Sequence, residues 1–249
     1  MGLLILRGPQ AKKQESADAG EAGRLWFIMG EKERERKMSR IQVKQLVVGM
    51  VQTNCYIVYD EETKRAVIVD PGDRAEEIND VLRELGVKPE AILLTHGHFD
   101  HIMAAASLKE EWGLTIYAGE KELEVLRDGA KNMMMTYYRK SFSLEPDVTL
   151  RDNEVFEAAG ITWKMFETPG HTIGSCCYYV EDEKILFSGD TLFRASYGRV
   201  DFPTGSAMDM LASVKRLLTS LPPDVMVYPG HMDVTTIDFE KKNNPLARY

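Results

Sequence analysis

The chain has 249 residues, 44% of them hydrophobic, which is enough apolar material for a full core in one large domain or two small ones. Its formal net charge of −8 weighs against a nucleic acid or an anionic membrane as main partner, because both attract clustered Lys and Arg. Its three cysteines indicate no disulfide framework, and no apolar run approaches the roughly 20 residues that span a bilayer. We therefore expect a cytoplasmic protein without a membrane or nucleic-acid partner.

Residues 1–38 differ in composition from the rest of the chain. A Gly/Ala-rich polar stretch, KKQESADAGEAG, precedes the apolar patch LWFIM and the mixed-charge run EKERERK. Such a run is typical of a solvated helical face, so we expect a poorly ordered N-terminal extension. A single folded domain, residues 39–249, is predicted to follow it.

The predicted domain begins with β-branched runs. IQVKQLVV, NCYIVYD and RAVIVD are separated by turn residues, as consecutive antiparallel strands are. DPGD then turns the chain into a helix that is predicted to begin near Asp73 and to end at Gly86. The apolar run AILLT indicates a strand buried on both faces, and a helix from His101 to about Trp112 follows it.

The second half of the chain continues this alternation. LTIYA is a predicted strand and EKELEVLRD a predicted helix, and the strands ITWKMFET, CCYYVED and KILFSGD come later. A helix from about Ala207 to Leu221, the strand VMVYP and a polar tail complete the chain. Two groups of strands with interspersed helices predict a layered α/β protein in which loops at strand ends carry the chemistry.

Between these groups, the segment from Asn132 to Phe142 shows neither the helical nor the strand period. It contains Met133, Met134, Met135, Tyr137 and Tyr138. These side chains could form a flexible apolar cover over a substrate, because methionine adapts to irregular surfaces. We favour the alternative, a packed crossover helix that places them in the core.

The histidines are concentrated in loops that follow predicted strands. In THGHFDH, His96, His98 and Asp100 lie two residues apart, so in an extended segment their side chains point the same way. His101 opens the next helix and projects in another direction. The four residues could therefore address two metal centres rather than one.

Three further candidates follow other strands. ETPGHTIG contains His171, VYPGHMD contains His231, and LFSGDTLF contains Asp190. Each taken alone is typical of a turn or a cap. Together they indicate a metal site, because burying several histidines and two carboxylates without a cation carries a large desolvation penalty. Imidazole and carboxylate ligands favour zinc, iron or manganese over calcium.

The motifs THGHFDH, TPGHT and GDTLF, with GH followed by TT, resemble the metallo-β-lactamase superfamily, specifically its glyoxalase II-like (hydroxyacylglutathione hydrolase) branch of the short single-domain type. The resemblance runs from about Ile41 to the C-terminus and implies an αββα four-layer sandwich with two divalent metal ions at one edge. Zinc is favoured, with iron or manganese as alternatives. The implied ligands are His96, His98 and His171 for one metal, Asp100, His101 and His231 for the second, and Asp190 as a bridge.

The same resemblance implies a thioesterase. A metal-bridging hydroxide would attack the acyl carbonyl of S-lactoylglutathione or a related hydroxyacyl thioester, and a metal would stabilise the oxyanion. Asp100 would orient the nucleophile and accept its proton. Asp70, in VIVDPGD, matches an aspartate beneath the metal loop that could orient a ligand histidine, although a strand-ending turn explains it equally well.

Arg199 is the substrate-binding candidate. It lies in GRVDFPTGS, which resembles a loop of short glyoxalase II-like proteins, and it matches a position that contacts glutathione. It could pair with a substrate carboxylate. The alternative is a structural salt bridge to Asp201.

Other activities of this fold stay open. They are a mononuclear iron persulfide dioxygenase, a diiron oxygen-reducing module, and a lactone or phosphodiester hydrolase. The complete ligand set counts against the mononuclear enzyme and against a non-catalytic scaffold. The diiron module needs a flavin domain, which the sequence does not show. The acidic charge balance counts against a nuclease. We therefore predict a dinuclear metal-dependent hydrolase acting on a small acyl thioester, with no oligomeric state set by the sequence.

Overall fold

Two six-stranded sheets stack face to face, with helices on both outer surfaces, in the computed structural model, which describes residues 40–248. The predicted N-terminal extension, residues 1–38, lies outside the described residues. The layer order is the αββα sandwich that the sequence predicts, so the predicted fold class is confirmed.

The first sheet has the strand order β1-β2-β3-β4-β5-β6. Its first three strands are antiparallel neighbours, whereas β3 to β6 run parallel. Parallel neighbours require crossover connections, and helices supply them here. The strands are β1 (Ile41–Val48), β2 (Thr53–Asp60), β3 (Arg65–Val69), β4 (Lys88–Leu93), β5 (Thr115–Gly119) and β6 (Val148–Leu150).

The second sheet has the order β14-β13-β10-β9-β8-β7, and its β10 and β13 are parallel neighbours. A separate hairpin, β11-β12, follows β10. The strands are β7 (Val155–Ala158), β8 (Ile161–Glu167), β9 (Cys176–Val180), β10 (Ile185–Gly189), β11 (Leu192–Phe193), β12 (Ser196–Tyr197), β13 (Met226–Pro229) and β14 (Thr235–Thr236).

The helices are α1 (Ala75–Leu85), α2 (Phe99–Ile102), α3 (Ala105–Trp112), α4 (Leu123–Leu126), α5 (Met134–Tyr138), α6 (Ala207–Ser220) and α7 (Ile237–Asn243), with 3-10 turns at Glu120–Glu122 and Pro245–Arg248. None of the helices in the described part of the chain is long and apolar enough to cross a bilayer. The predicted polar tail is partly helical, because it contains α7. Thr236 caps α7 by accepting a hydrogen bond from the Phe239 amide at 3.1 Å.

The single helix predicted from His101 to Trp112 is wrong, because the chain forms α2 and α3 with a break between them. The amide of Ala104 donates to the carbonyl of Pro71 at 3.0 Å instead of continuing the helix. Gly72 lies so close to the Asp100 carbonyl that a Cβ there would be 1.5 Å from that oxygen. The turn after β3 thus interrupts the helix between Ile102 and Ala105.

Side chains of each strand alternate between two cores, as the period of a β-strand requires. In β2, Ile57 faces α1 and α3, whereas Tyr56 faces the second sheet. In β9, Cys176 faces the first sheet and Cys177 faces α6 and α7. Three apolar layers result, and Cys176 and Cys177 are buried as free thiols, like Cys55.

The Met-rich segment does not form the fully packed helix that we favoured. Met133 and Met134 are buried against Phe99, whereas Tyr137 and Tyr138 in α5 are more than a third exposed. The segment therefore has a packed side and a solvent-facing side.

The turn after β2 gives a prediction about pH. The carboxylate of Asp60 accepts hydrogen bonds from the amides of Glu62 and Thr63 and pairs with Arg40 at 2.7 Å. Burial alone would raise the pKa of Asp60, but these partners hold it below its usual value. Asp60→Asn should cost about 1 kcal/mol of unfolding free energy at pH 7.

The sign follows from linkage. A lowered folded-state pKa gives stability that is present above the unfolded pKa and lost as pH falls through the folded pKa. Urea unfolding at pH 7 and pH 3 should therefore show the deficit of Asp60→Asn shrinking in acid. Asp182→Asn, at an exposed turn position, is the control. A deficit of equal size at both pH values would contradict the prediction.

Candidate metal centre

The seven predicted ligands meet at one edge of the sandwich, although they come from both sheets. The loop after β4 supplies two of them, α2 supplies two more, and the loops after β8, β10 and β13 supply one each. Because β10 and β13 are parallel, their carboxyl ends bring two of these loops together. The ligands are His96, His98, Asp100, His101, His171, Asp190 and His231.

The first cluster consists of His96, His98 and His171, all buried, with ligand atoms within 4.8 Å of one another. Nδ1 of His98 lies 2.9 Å from Nε2 of His171. Nδ1 of His171 lies 2.7 Å from the carbonyl oxygen of Arg199. A carbonyl can only accept, so this contact puts the ring proton on Nδ1 and turns a bare Nε2 into the cluster.

The second cluster consists of Asp100, His101 and His231. Oδ2 of Asp100 lies 3.4 Å from Nε2 of His101 and 3.3 Å from Nε2 of His231. Asp190 lies between the clusters, because its carboxylate oxygens are 3.4 Å from His171 and 3.5 Å from both His101 and His231. A carboxylate in this position can contact two ions at once.

The buried polar atoms fit cations. Nε2 of His96, His98 and His101 and Oδ1 of Asp190 are buried and have no hydrogen-bond partner among the described residues. Buried side-chain polar atoms nearly always have a partner, and leaving one without costs about 1–3 kcal/mol. Histidine nitrogens and carboxylate oxygens gathered in one buried place are the donor set of a divalent metal site.

The two clusters differ electrostatically. Burial, reinforced by neighbouring histidines, lowers the pKa of His96 and of His98 well below the usual value, so both rings are neutral. Burial also acts to lower the pKa of His101, but the carboxylates of Asp100, Asp70 and Asp190 outweigh it and hold that pKa well above the usual value. Neutral imidazole is the ligating form, so a cation bound at His101 would take the place of the proton on Nε2, while Asp70 keeps the proton on Nδ1.

Asp70 lies directly behind His101. Its Oδ1 accepts from the Thr95 amide at 2.8 Å, and its Oδ2 accepts from the Thr95 hydroxyl at 2.6 Å and from Nδ1 of His101 at 2.9 Å. The carboxylate cannot donate, so it keeps a proton on Nδ1 and directs Nε2 into the second cluster.

Sequence reasoning missed the polar side chains at the start of β2. The hydroxyl of Thr53 donates to Oδ2 of Asp100 at 2.7 Å. The amide of Asn54 donates to the carbonyls of Pro229 and Met232, and the hydroxyl of Tyr56 also donates to Pro229, at 2.6 Å. These bonds hold the His231 loop against the first sheet. The available signal was a Thr-Asn pair opening an otherwise apolar strand.

Arg199 lies at the mouth of the site, with its side chain more than half exposed. Its guanidinium makes a two-point pair with Asp201, at 2.7 and 2.6 Å, and stacks 3.9 Å from the centre of the Phe202 ring. The alternative that the sequence left open, a salt bridge to Asp201, is therefore present.

A cavity of about 300 Å³ opens onto both clusters. Its wall is mainly apolar, and Arg199 is its basic residue besides the histidines. The apolar wall residues are Val51, Phe99, Met133, Tyr137, Phe193 and Phe202. Part of the Met-rich segment thus borders the cavity, and an apolar group of a ligand can displace water there.

The chain is similar in sequence and fold to known proteins. The family model of the metallo-beta-lactamase superfamily matches residues 48–231. Hydroxyacylglutathione hydrolase GloC of Haemophilus influenzae is 31% identical over 207 residues, covering 82% of this chain and 97% of that protein. The crystal structure of BLEG-1, a B3 metallo-beta-lactamase, matches with a TM-score of 0.79 and 37% identity, covering 84% of this chain and 100% of that one. TTHA1623 in a di-iron-bound form matches with a TM-score of 0.72 and 36% identity, covering 82% and 99%.

The contact behind His101 gives a second prediction. In Asp70→Asn, an amide NH₂ would face Nδ1 of His101, so the ring proton would move to Nε2, the atom that faces the cluster. Divalent metal affinity should fall roughly 10–100-fold, as is typical when such an outer partner is removed. Competition against a chromophoric chelator measures it. Asp60→Asn is the matched control, and equal losses in both variants would contradict this role of Asp70.

Proposed function

This chain belongs to the metallo-β-lactamase superfamily, and from that membership we propose a dinuclear metal-dependent hydrolase that cleaves an acyl thioester such as S-lactoylglutathione or a related hydroxyacyl thioester. The observation that carries the proposal is the set of buried histidine and carboxylate atoms without hydrogen-bond partners in and between the two clusters. The likeness to a hydroxyacylglutathione hydrolase over nearly its whole length supports the substrate class.

The proposal assigns the ligands by cluster. His96, His98 and His171 hold one ion, Asp100, His101 and His231 hold the second, and Asp190 contacts both. Zinc suits this mixture of imidazole and carboxylate, and iron or manganese are the alternatives.

Divalent ions bound there would act as Lewis acids toward the acyl carbonyl and would lower the pKa of water to about 7. The chain's own residues do the positioning. Oδ2 of Asp100 faces two histidines and the Thr53 hydroxyl, which leaves Oδ1 to orient the attacking water and to hold its proton. The apolar cavity wall excludes bulk water from the thioester, and a thiolate leaves without a strong acid.

The assay that tests the proposal uses metal-loaded protein and a substrate panel. S-lactoylglutathione or another hydroxyacyl thioester should be turned over faster than a lactone, a phosphodiester or a β-lactam, and metal analysis should give two ions per chain. The likeness to BLEG-1 makes the β-lactam a necessary member of the panel. Activity on the other esters or lactams without thioester turnover would defeat the substrate class while the family stands. One iron per chain with oxygen consumption on a persulfide would favour the dioxygenase instead.

The position of Arg199 generates a kinetic prediction. If its guanidinium pairs with a substrate carboxylate, Arg199→Met should raise KM for S-lactoylglutathione about two- to five-fold with kcat unchanged, because exposed ion pairs are weak and Asp201 already occupies this one. Arg194→Met is the matched control, since Arg194 also stacks on a ring, that of Phe239. An unchanged KM would exclude Arg199 from substrate binding.

A further inference from the structure

We propose that Glu122 is a positioning residue that selectively sets the geometry of the three-histidine cluster, His96, His98 and His171. The inference rests on the proposed assignment of that cluster as a metal centre. Glu122 ends the 3-10 turn Glu120–Glu122 that follows β5, and only 1% of its surface is exposed. In a run such as EKELEVL, this glutamate would be expected on a solvated helical face.

Its carboxylate joins the two loops that supply the cluster. Oε1 accepts from the amide of Gly97, the residue between His96 and His98, at 2.7 Å. Oε2 accepts from the hydroxyl of Thr172 at 2.8 Å and from the amide of Gly174 at 3.0 Å. One loop follows a strand of the first sheet and the other a strand of the second, so this side chain bridges the two sheets at the metal-ligand level.

The two loops pack closely against the segment that carries Glu122. A Cβ at Gly174 would lie 2.1 Å from the Glu122 amide nitrogen, and a Cβ at Gly97 would lie 3.1 Å from Leu126. Both loops thus approach the Glu122–Leu126 segment at distances that glycine allows and a larger residue would disturb. The hydrogen bonds to Glu122 therefore fix the positions of the Gly97 and Gly174 backbones.

The carboxylate of Glu122 is retained although its surroundings disfavour a charge. Burial raises the pKa of Glu122 to about 7 against the effect of its three hydrogen-bond donors, so the carboxylate is held in an unfavourable place. Its donors are two backbone amides and a hydroxyl, which an apolar side chain would leave unpaired. The second cluster has other supports, namely Asp70 behind His101 and Asn54 on the His231 loop. Glu122 should therefore affect one centre and not the other.

Glu122→Gln is the informative variant, because it keeps the size and replaces one acceptor oxygen by an NH₂ group. It should be measured in two backgrounds: His231→Ala, which leaves the three-histidine centre, and His171→Ala, which leaves the other. The readouts are Co²⁺ affinity by chelator competition and the visible absorption of the bound cobalt. We expect affinity to fall roughly 10–100-fold and the spectrum to change in the first background, with neither effect in the second.

Glu240→Gln is the matched control. Glu240 is also a fully buried carboxylate, and it accepts hydrogen bonds from Ala195, Thr235 and Asn244. It should leave Co²⁺ affinity unchanged in the His231→Ala background. An equal loss of affinity in both backgrounds, or an equal loss with Glu240→Gln, would overturn the proposal.

Thr172→Val provides a second test if Glu122→Gln does not fold. It removes one donor to Glu122 and keeps the Gly97 bond, so it should weaken metal binding at the three-histidine centre less than Glu122→Gln does. No effect on that centre would count against the proposal.

The role of Glu122 and the thioesterase activity fail separately. A wild-type chain that binds no divalent metal overturns both, whereas selective Co²⁺ effects without thioester turnover support the role of Glu122 and defeat only the thioesterase.

Discussion

Buried nitrogen and carboxylate atoms without hydrogen-bond partners are the constraint around which the described structure is arranged. Three ring nitrogens and a carboxylate oxygen are enclosed without partners at one edge of the sandwich. Water would satisfy them in an unfolded chain, so a folded chain without ions keeps them at a cost. Parallel strand ends, short loops and buried carboxylates hold these atoms together at that edge.

Two kinds of support act on the two halves of the centre. In one half, burial keeps His96 and His98 neutral, and Glu122 acts on the loop backbone through hydrogen bonds. In the other, carboxylates surround His101 and act on its ring directly through Asp70. His96 and His98 are thus held in the neutral, ligating form, whereas His101 would have to release a proton to bind a cation.

The residues that the structure brings together as candidate ligands could be predicted from the sequence, because each lies in a short motif at the end of an apolar run. The residues that hold them could not. Glu122 lies 25 residues from Gly97 and 50 from Thr172, and nothing near it in the chain distinguishes it from a solvated glutamate. The break between α2 and α3 has the same origin, since it depends on the approach of Gly72 to Asp100 across the fold. Long-range contact, not local propensity, decides such positions.

The contact between the Arg199 carbonyl and His171 has a consequence for how this enzyme scaffold can change. The side chain of Arg199 lines the cavity, whereas its main-chain carbonyl accepts a hydrogen bond from His171. The side chain can therefore be exchanged during evolution without disturbing the ring orientation, while the backbone path is fixed, and a Cβ at neighbouring Gly198 would lie 1.9 Å from the Asp190 carbonyl oxygen. A substitution at Arg199 changes the side chain at the cavity and leaves the His171 contact in place. An insertion or deletion in this loop would shift the backbone that contacts His171 and Asp190.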